Sequence, residues 1–165
     1  MSPAVGRASL GAALAVLVLA ACGTPSPGIA YVNERYRSEA DVTRASEAFY
    51  AKEHHGADVV FRSQEKIRQG YYFFLRLDTV PPADGRLVVE VVREENRPPE
   101  RFDFSLKLAP QGWFGEYVVG LTGRDGGAPN WRPVAWRISV TDAQGKVLAT
   151  KHSFLWGTRR DVGAR

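Results

Sequence analysis

Three histidines, one cysteine, an adjacent pair of glutamates and a glycine-rich run are the parts of this 165-residue chain from which catalysis or metal binding could be built. His54 and His55 are sequence neighbours, so on a helix their rings diverge by about 100° and cannot chelate as an i, i+4 pair would. They read as exposed cations at a helix C-terminus, where the dipole favours positive charge. His152 lies in KVLATKHSFLW, in strand register with Leu148, Phe154 and Trp156, and reads as a partly buried structural histidine. No metal site is expected from so few ligands. No serine stands in a G-x-S-x-G elbow, so nucleophilic catalysis has no candidate. GRDGGAPNW, residues 123–131, superficially resembles a phosphate loop, but it lacks the Lys-Ser/Thr ending and leads through Pro133 into a strand instead of a helix. It reads as a long loop. Glu94 and Glu95 in REENRPPE could supply two carboxylates for acid–base work, yet the flanking prolines and charges mark a solvated turn. No catalytic residue and no cofactor are therefore expected, with an enzyme of unrecognised type as the outlying alternative.

Cys22 is the one thiol, which rules out an intramolecular disulfide, a zinc cluster and a redox pair. Its position carries more than its chemistry alone. Arg7 supplies one positive charge, the run LGAALAVLVLAA from Leu10 to Ala21 is a twelve-residue apolar core, and the small residues Ala20 and Ala21 suit a signal-peptidase pocket. A bilayer-spanning helix needs about 20 apolar residues, so an uncleaved anchor is disfavoured. Leu19-Ala20-Ala21-Cys22 resembles the lipobox of bacterial lipoproteins, the site at which the thiol takes a diacylglycerol and the chain is cleaved between Ala21 and Cys22. The resemblance implies residues 1–21 as signal peptide and a mature chain held by diacylglycerol and an N-acyl group on Cys22. Several acyl chains give the stable attachment that one chain does not. An ordinary secretory signal with a coincidental cysteine is the alternative. Gly23, not Asp, follows the cysteine; in a diderm this implies the outer membrane facing the periplasm, and in a monoderm the outer face of the cell membrane. GTPSPGIA then opens a small, polar, Pro-rich stretch, and residues 22–36 read as a flexible tether.

Without Arg7 the mature chain has 21 basic against 18 acidic residues, a mild excess spread along the sequence. A nucleic-acid binder would show a basic stripe or a known module, so nucleic acid is excluded as a partner. At 44% hydrophobic and 11% aromatic, the chain has the material for one real core.

The elements that must position these residues follow from periodicity. A helix is expected over 39–55, with Ser38 and Asp41 as a capping box, Val42, Ala45 and Phe49 on one stripe, and Gly56 ending it in the left-handed conformation. Beyond it the period changes to two. RFDFSLKL puts Phe102, Phe104, Leu106 and Leu108 on one face, and VAWRISVT does the same with Val134, Trp136, Ile138 and Val140. GYYFFLRL and GRLVVEVV have strand composition, and shorter runs at 58–63, 116–121 and 146–156 bring the expected count to seven. Asp84-Gly85 and DAQG at 142–145 are tight-turn chemistry, with glycine supplying positive φ. Connections too short for crossover helices imply a mainly β, seven-stranded antiparallel β-sandwich of immunoglobulin or fibronectin type III architecture over 37–157, preceded by the helix. A small β-barrel is the runner-up. The usual cysteine pair is absent, so the likeness is one of architecture only. Residues 158–165 read as a basic, solvated tail.

If each connection reverses direction, the loops 64–68, 94–100 and 122–132 share one end and 78–85, 109–115 and 142–145 share the other. The first end collects Glu94, Glu95, Arg124, Asp125, Asn130 and Trp131, the candidate binding loops, since sandwiches often carry recognition on clustered loops. Trp136 and Trp156 are expected in the core, whereas Trp113 and Trp131 lie in loops where an exposed ring could stack on sugars. The expectation is a non-catalytic, lipid-anchored envelope protein with a protein partner. A module binding carbohydrate or cell-wall polysaccharide is the alternative.

Overall fold

The computed structural model describes residues 28–42, 53, 55–107, 109–110 and 115–159. Eight strands form two four-stranded sheets. The front sheet has the order β1-β3-β6-β2, with β1 Ile29–Arg37, β2 Val59–Arg62, β3 Gly70–Leu77 and β6 Tyr117–Thr122. The back sheet has the order β5-β4-β7-β8, with β4 Arg86–Val92, β5 Glu100–Ser105, β7 Ala135–Thr141 and β8 Val147–His152. Both sheets keep two edge strands, so the molecule is a sandwich and the barrel alternative falls. β1, β3 and β6 facing β5, β4, β7 and β8 reproduce the A-B-E and C′-C-F-G pairing of immunoglobulin-type sandwiches. β2 takes the remaining edge and runs parallel to β6, from Val59 opposite Tyr117 to Arg62 opposite Gly120, which departs from the all-antiparallel expectation.

β1 is the strand that sequence reading assigned to the tether and left uncounted. It pairs antiparallel with β3 from Ile29 opposite Leu77 to Arg37 opposite Gly70, with a register irregularity between Ile29 and Tyr31. That extra residue puts Ile29 and Val32, three apart, both against the core. The period-two pattern is broken there, and Glu34, Arg35 and Arg37 hide the rest. Ala30 at the irregularity turns its carbonyl to Lys151 Nζ at 2.8 Å, a link from β8 of the back sheet to β1 of the front.

Where the alternation was plain, the core face holds in the main, with Val134 packed on a separate cluster beside Val92 and Leu108 outside the described residues. Phe104, Leu106, Trp136, Ile138 and Val140 join Leu87, Val89, Val91, Tyr71, Phe73, Leu75, Val119 and Leu121 between the sheets. β3 buries both its faces, because Tyr72 and Phe74 form a second cluster with Val118 on the outer side of the front sheet. Gly120 sits opposite Tyr72, and a Cβ there would fall 2.5 Å from the Tyr72 ring, so glycine in mid-strand makes room for that aromatic. Ser139 and Thr141, expected on a solvated face, are buried, and Ser139 Oγ lies 2.7 Å from Thr150 Oγ1 on β8.

The helical expectations are met in part. Ser38 N donates to the Asp41 carboxylate at 2.8 Å and opens α1, Glu39–Val42, as the capping box requires. Residues 43–52 and 54 lie outside the described residues; Glu53 and His55 are not helical, and Gly56 has φ +67°. The strand expected over 146–156 stops at His152, and α2, Phe154–Arg159, follows, so the body extends past the expected tail boundary. Trp156 is buried as expected, but from α2 against Val92 and Ala135. Gly145 has φ +82°, as its turn demands, whereas Gly85 does not adopt positive φ. A Cβ on Gly85 would meet Pro82 O at 2.9 Å and Thr141 O at 3.0 Å, so close approach is what requires glycine there.

Candidate functional site

The loop parity read from the sequence is the arrangement observed. Gly70 lies opposite Thr122 and Val92 opposite Ala135, which puts the segments 63–69, 93–99 and 123–134 at one pole. Side chains tie them together. Gln64 Nε2 donates to the Asp125 carboxylate at 3.3 Å, and the Arg93 guanidinium donates to the Asp125 carbonyl. At the opposite pole Leu106 N donates to Gly85 O at 2.9 Å, and Asp78 N to Gly28 O at 2.9 Å. β1 therefore enters the sandwich at the pole furthest from the candidate loops, called the tether pole below.

Arg93, which sequence reading passed over, organises the loop pole. It directly follows β4, pairs with Glu100 at 2.8 Å across the hairpin, holds the Asp125 carbonyl, and lies over the Trp131 ring at 4.7 Å. Trp131 meets Tyr71 edge-on at 5.7 Å on its inner side and packs on the core. Its half-buried ring thus has a cation over it and a phenol against it, both of which compete with stacking on a sugar. Trp113 lies outside the described residues.

The glycines of GRDGGAPNW have structural causes. Gly123 with φ +58° opens the 3-10 turn Gly123–Gly126, and Gly127 with φ +72° leaves it; a Cβ on Gly127 would fall 2.5 Å from the Trp131 ring. Trp131 N donates to Ala128 O at 2.9 Å, closing a turn with Pro129 second and Asn130, φ +65°, third, the pattern of a type II turn. No feature of the run cradles phosphate.

The other predicted residues form a charged rim. Arg124 extends into solvent, its Nε 3.9 Å from the Asp125 carboxylate, and Glu94 pairs with Arg97 at 3.0 Å within its own turn. Glu95 is exposed. No cluster of three His, Cys, Asp or Glu side chains that could hold a metal occurs among the described residues. His152 is exposed, against the burial expected of it, because the chain turns into α2 one residue later; its Nδ1 lies 3.0 Å from Ser153 O. His54 and Cys22 with Ala21 lie outside the described residues.

A second polar centre, on the outer side of the front sheet, escaped the sequence. Arg62 on β2 makes a two-pronged contact with the Glu53 carboxylate, Arg68 Nη2 stands 3.4 Å from it and His55 Nδ1 3.6 Å. Chiefly the Arg62 hydrogen bond holds the Glu53 carboxyl below its usual range, and burial raises the Tyr72 phenol beside it. The two arginine contacts span 9 and 15 residues, which no periodicity announces.

What fold and loop pole define together is a β-sandwich with a charged, hydrogen-bonding rim at one end and its chain entry at the other. Comparison with family models, curated proteins and solved structures finds no match for the chain.

Proposed function

We propose that this chain is a lipid-anchored cell-envelope protein, tethered through acyl groups on Cys22, whose loop pole engages a protein partner. One observation carries the reading: β1 starts at Ile29, seven positions past the candidate lipidation site, at the pole opposite the charged loops. Six extended residues reach about 20 Å, and an eight-residue strand spans about 26 Å, so the rim of Glu94, Glu95, Arg124 and Asn130 stands well clear of the anchored surface. The rim mixes both charges with amide groups, which suits recognition of another folded protein. The polysaccharide alternative has less support at Trp131, whose half-buried ring is already engaged by Arg93 and Tyr71.

Cys22→Ser abolishes metabolic palmitate labelling and releases the protein from membranes; labelling that persists in this variant rejects the anchor. A photo-crosslinking residue at Arg124 of the membrane-bound protein captures a protein of defined mass in intact cells, while one at Gln144, on the tether pole, does not. Equal capture at both positions, or retention of the wild type on isolated peptidoglycan with no capture at Arg124, overturns the partner assignment.

A further inference from the structure

A cavity of about 400 Å3 opens at the tether pole, remote from the charged rim. Arg76 and Leu77 from the end of β3, Thr79 and Val80 from the loop that follows, and Tyr117 from the start of β6 are in its wall. Three of these carry side-chain atoms that solvent scarcely reaches and no hydrogen bond satisfies: Arg76 Nε, Thr79 Oγ1 and the Tyr117 hydroxyl. Native proteins leave few such groups, because a desolvated donor without an acceptor is unfavourable. Arg76 has no carboxylate within ion-pair distance among the described residues; its guanidinium rests over the Tyr31 ring at 5.4 Å. The two nearby acids stand outside that distance: Asp78, exposed in the same wall, has its carboxylate beside Gly28, and Glu116 accepts from the Tyr31 hydroxyl.

The shape of the site narrows what it takes. Arg76 faces Tyr31 on the outer side of the front sheet, while Tyr117 belongs to the core between the sheets, so the cavity wraps the end of β3. A ligand that touches both is elongated. An arginine without a counter-charge calls for an oxyanion, and unpaired hydroxyls call for neutral oxygen or further anion acceptors. Burial raises the Tyr117 phenol, which keeps it protonated and able to donate. Leu77 and Val80 add apolar wall, and Val80 is 79% exposed at the mouth.

We propose that this cavity binds an anionic amphiphile, its phosphate or carboxylate head on Arg76, its linking oxygens on Thr79 and Tyr117, and its apolar part along Leu77 and Val80. The inference rests on the cavity and not on the anchor or the loop pole.

The test uses the full-length protein in non-ionic detergent, titrated with dihexanoyl phosphatidylglycerol, dihexanoyl phosphatidylcholine, octanoate and inorganic phosphate while the melting temperature is followed. A ligand that binds the folded state raises it with concentration. Phosphatidylglycerol or octanoate is expected to do so with roughly tenfold or greater preference over phosphatidylcholine and phosphate. Which of the two is stronger separates a lipid head from a fatty carboxylate as the source. In R76Q and in Y117F the response falls about tenfold or more, while the melting temperature without ligand holds or rises, since each change removes an unsatisfied polar group. No shift with any anion, or an unchanged response in both variants, overturns the site. A response to phosphate equal to that of the amphiphiles overturns the amphiphile.

Discussion

Asn130 is the one non-glycine residue of positive φ among the described residues, at 65°. It had drawn notice as a binding amide, but its backbone already has a task. The left-handed turn it completes brings the chain back so that Trp131 can wedge between Arg93 and Tyr71. Asparagine tolerates that conformation and β-branched residues do not. Asn130→Gly is therefore expected to leave stability within about 0.5 kcal/mol, whereas Asn130→Val costs about 1–2 kcal/mol and alters Trp131 emission, both read by urea unfolding followed by fluorescence. If the valine variant is as stable as wild type, the turn is not what holds Trp131. Local geometry of this kind is invisible to composition: PNW announces a turn, but not which aromatic is held beneath it.

Among the elements, β2 shows best how an edge strand is held in place. It has four residues, pairs through one side only, and adds the Arg62 contact to Glu53 beside Tyr72. The Glu53 carboxyl titrates below its unfolded range, chiefly through the Arg62 hydrogen bond, so the unfolded chain binds its proton first as pH falls. The stabilisation is full above the unfolded value near pH 4.5 and is lost as pH drops through the lower folded value. Glu53→Gln is expected to destabilise by about 2 kcal/mol at pH 7 and to flatten the fall in stability below pH 4.5 in urea titrations. A variant with an unaltered acid limb shows that the pair does not stabilise β2. Strands with strict alternation in sequence, such as β5 and β7, were legible because apolar residues recur with period two on the core face, although β7 buries Ser139 and Thr141 on the other face as well. β1 was not, since its register irregularity breaks that period and its outward arginines resemble a solvated linker. Arg35 in fact lies 4.6 Å over the Phe74 ring. The grouping of the loops was legible because it depends on reversals alone; the parallel seat of β2 was not, since it contributes to no adjacent hairpin.

For the whole molecule the poles matter more than any one residue. With the chain entering beside Asp78 and the turn at 142–145 on that same side, the anchor proposed at Cys22 would stand the body on its tether pole. A fluorophore at Val80 or Gln144 of the anchored protein in vesicles is then quenched by a headgroup-level quencher, and one at Arg124 is quenched several-fold less, because about 26 Å of strand separates them. Equal quenching at the two poles means that the body lies flat.

β2 also constrains the order of assembly. Its partner stretch, Tyr117–Gly120, lies 58 positions further along the chain, and β3, β4 and β5 all intervene. Closing so wide a span is costly in entropy and slow relative to the β4–β5 hairpin, whose strands are joined by seven residues. The hairpin and the β1–β3 pair can therefore form while β2 still lacks its partner. A chain that emerges from its N-terminus exposes Val59, Val60 and Phe61 until β6 has arrived. β2 is thus the strand seated last, and its apolar residues are the surface that a holding chaperone would cover in the meantime.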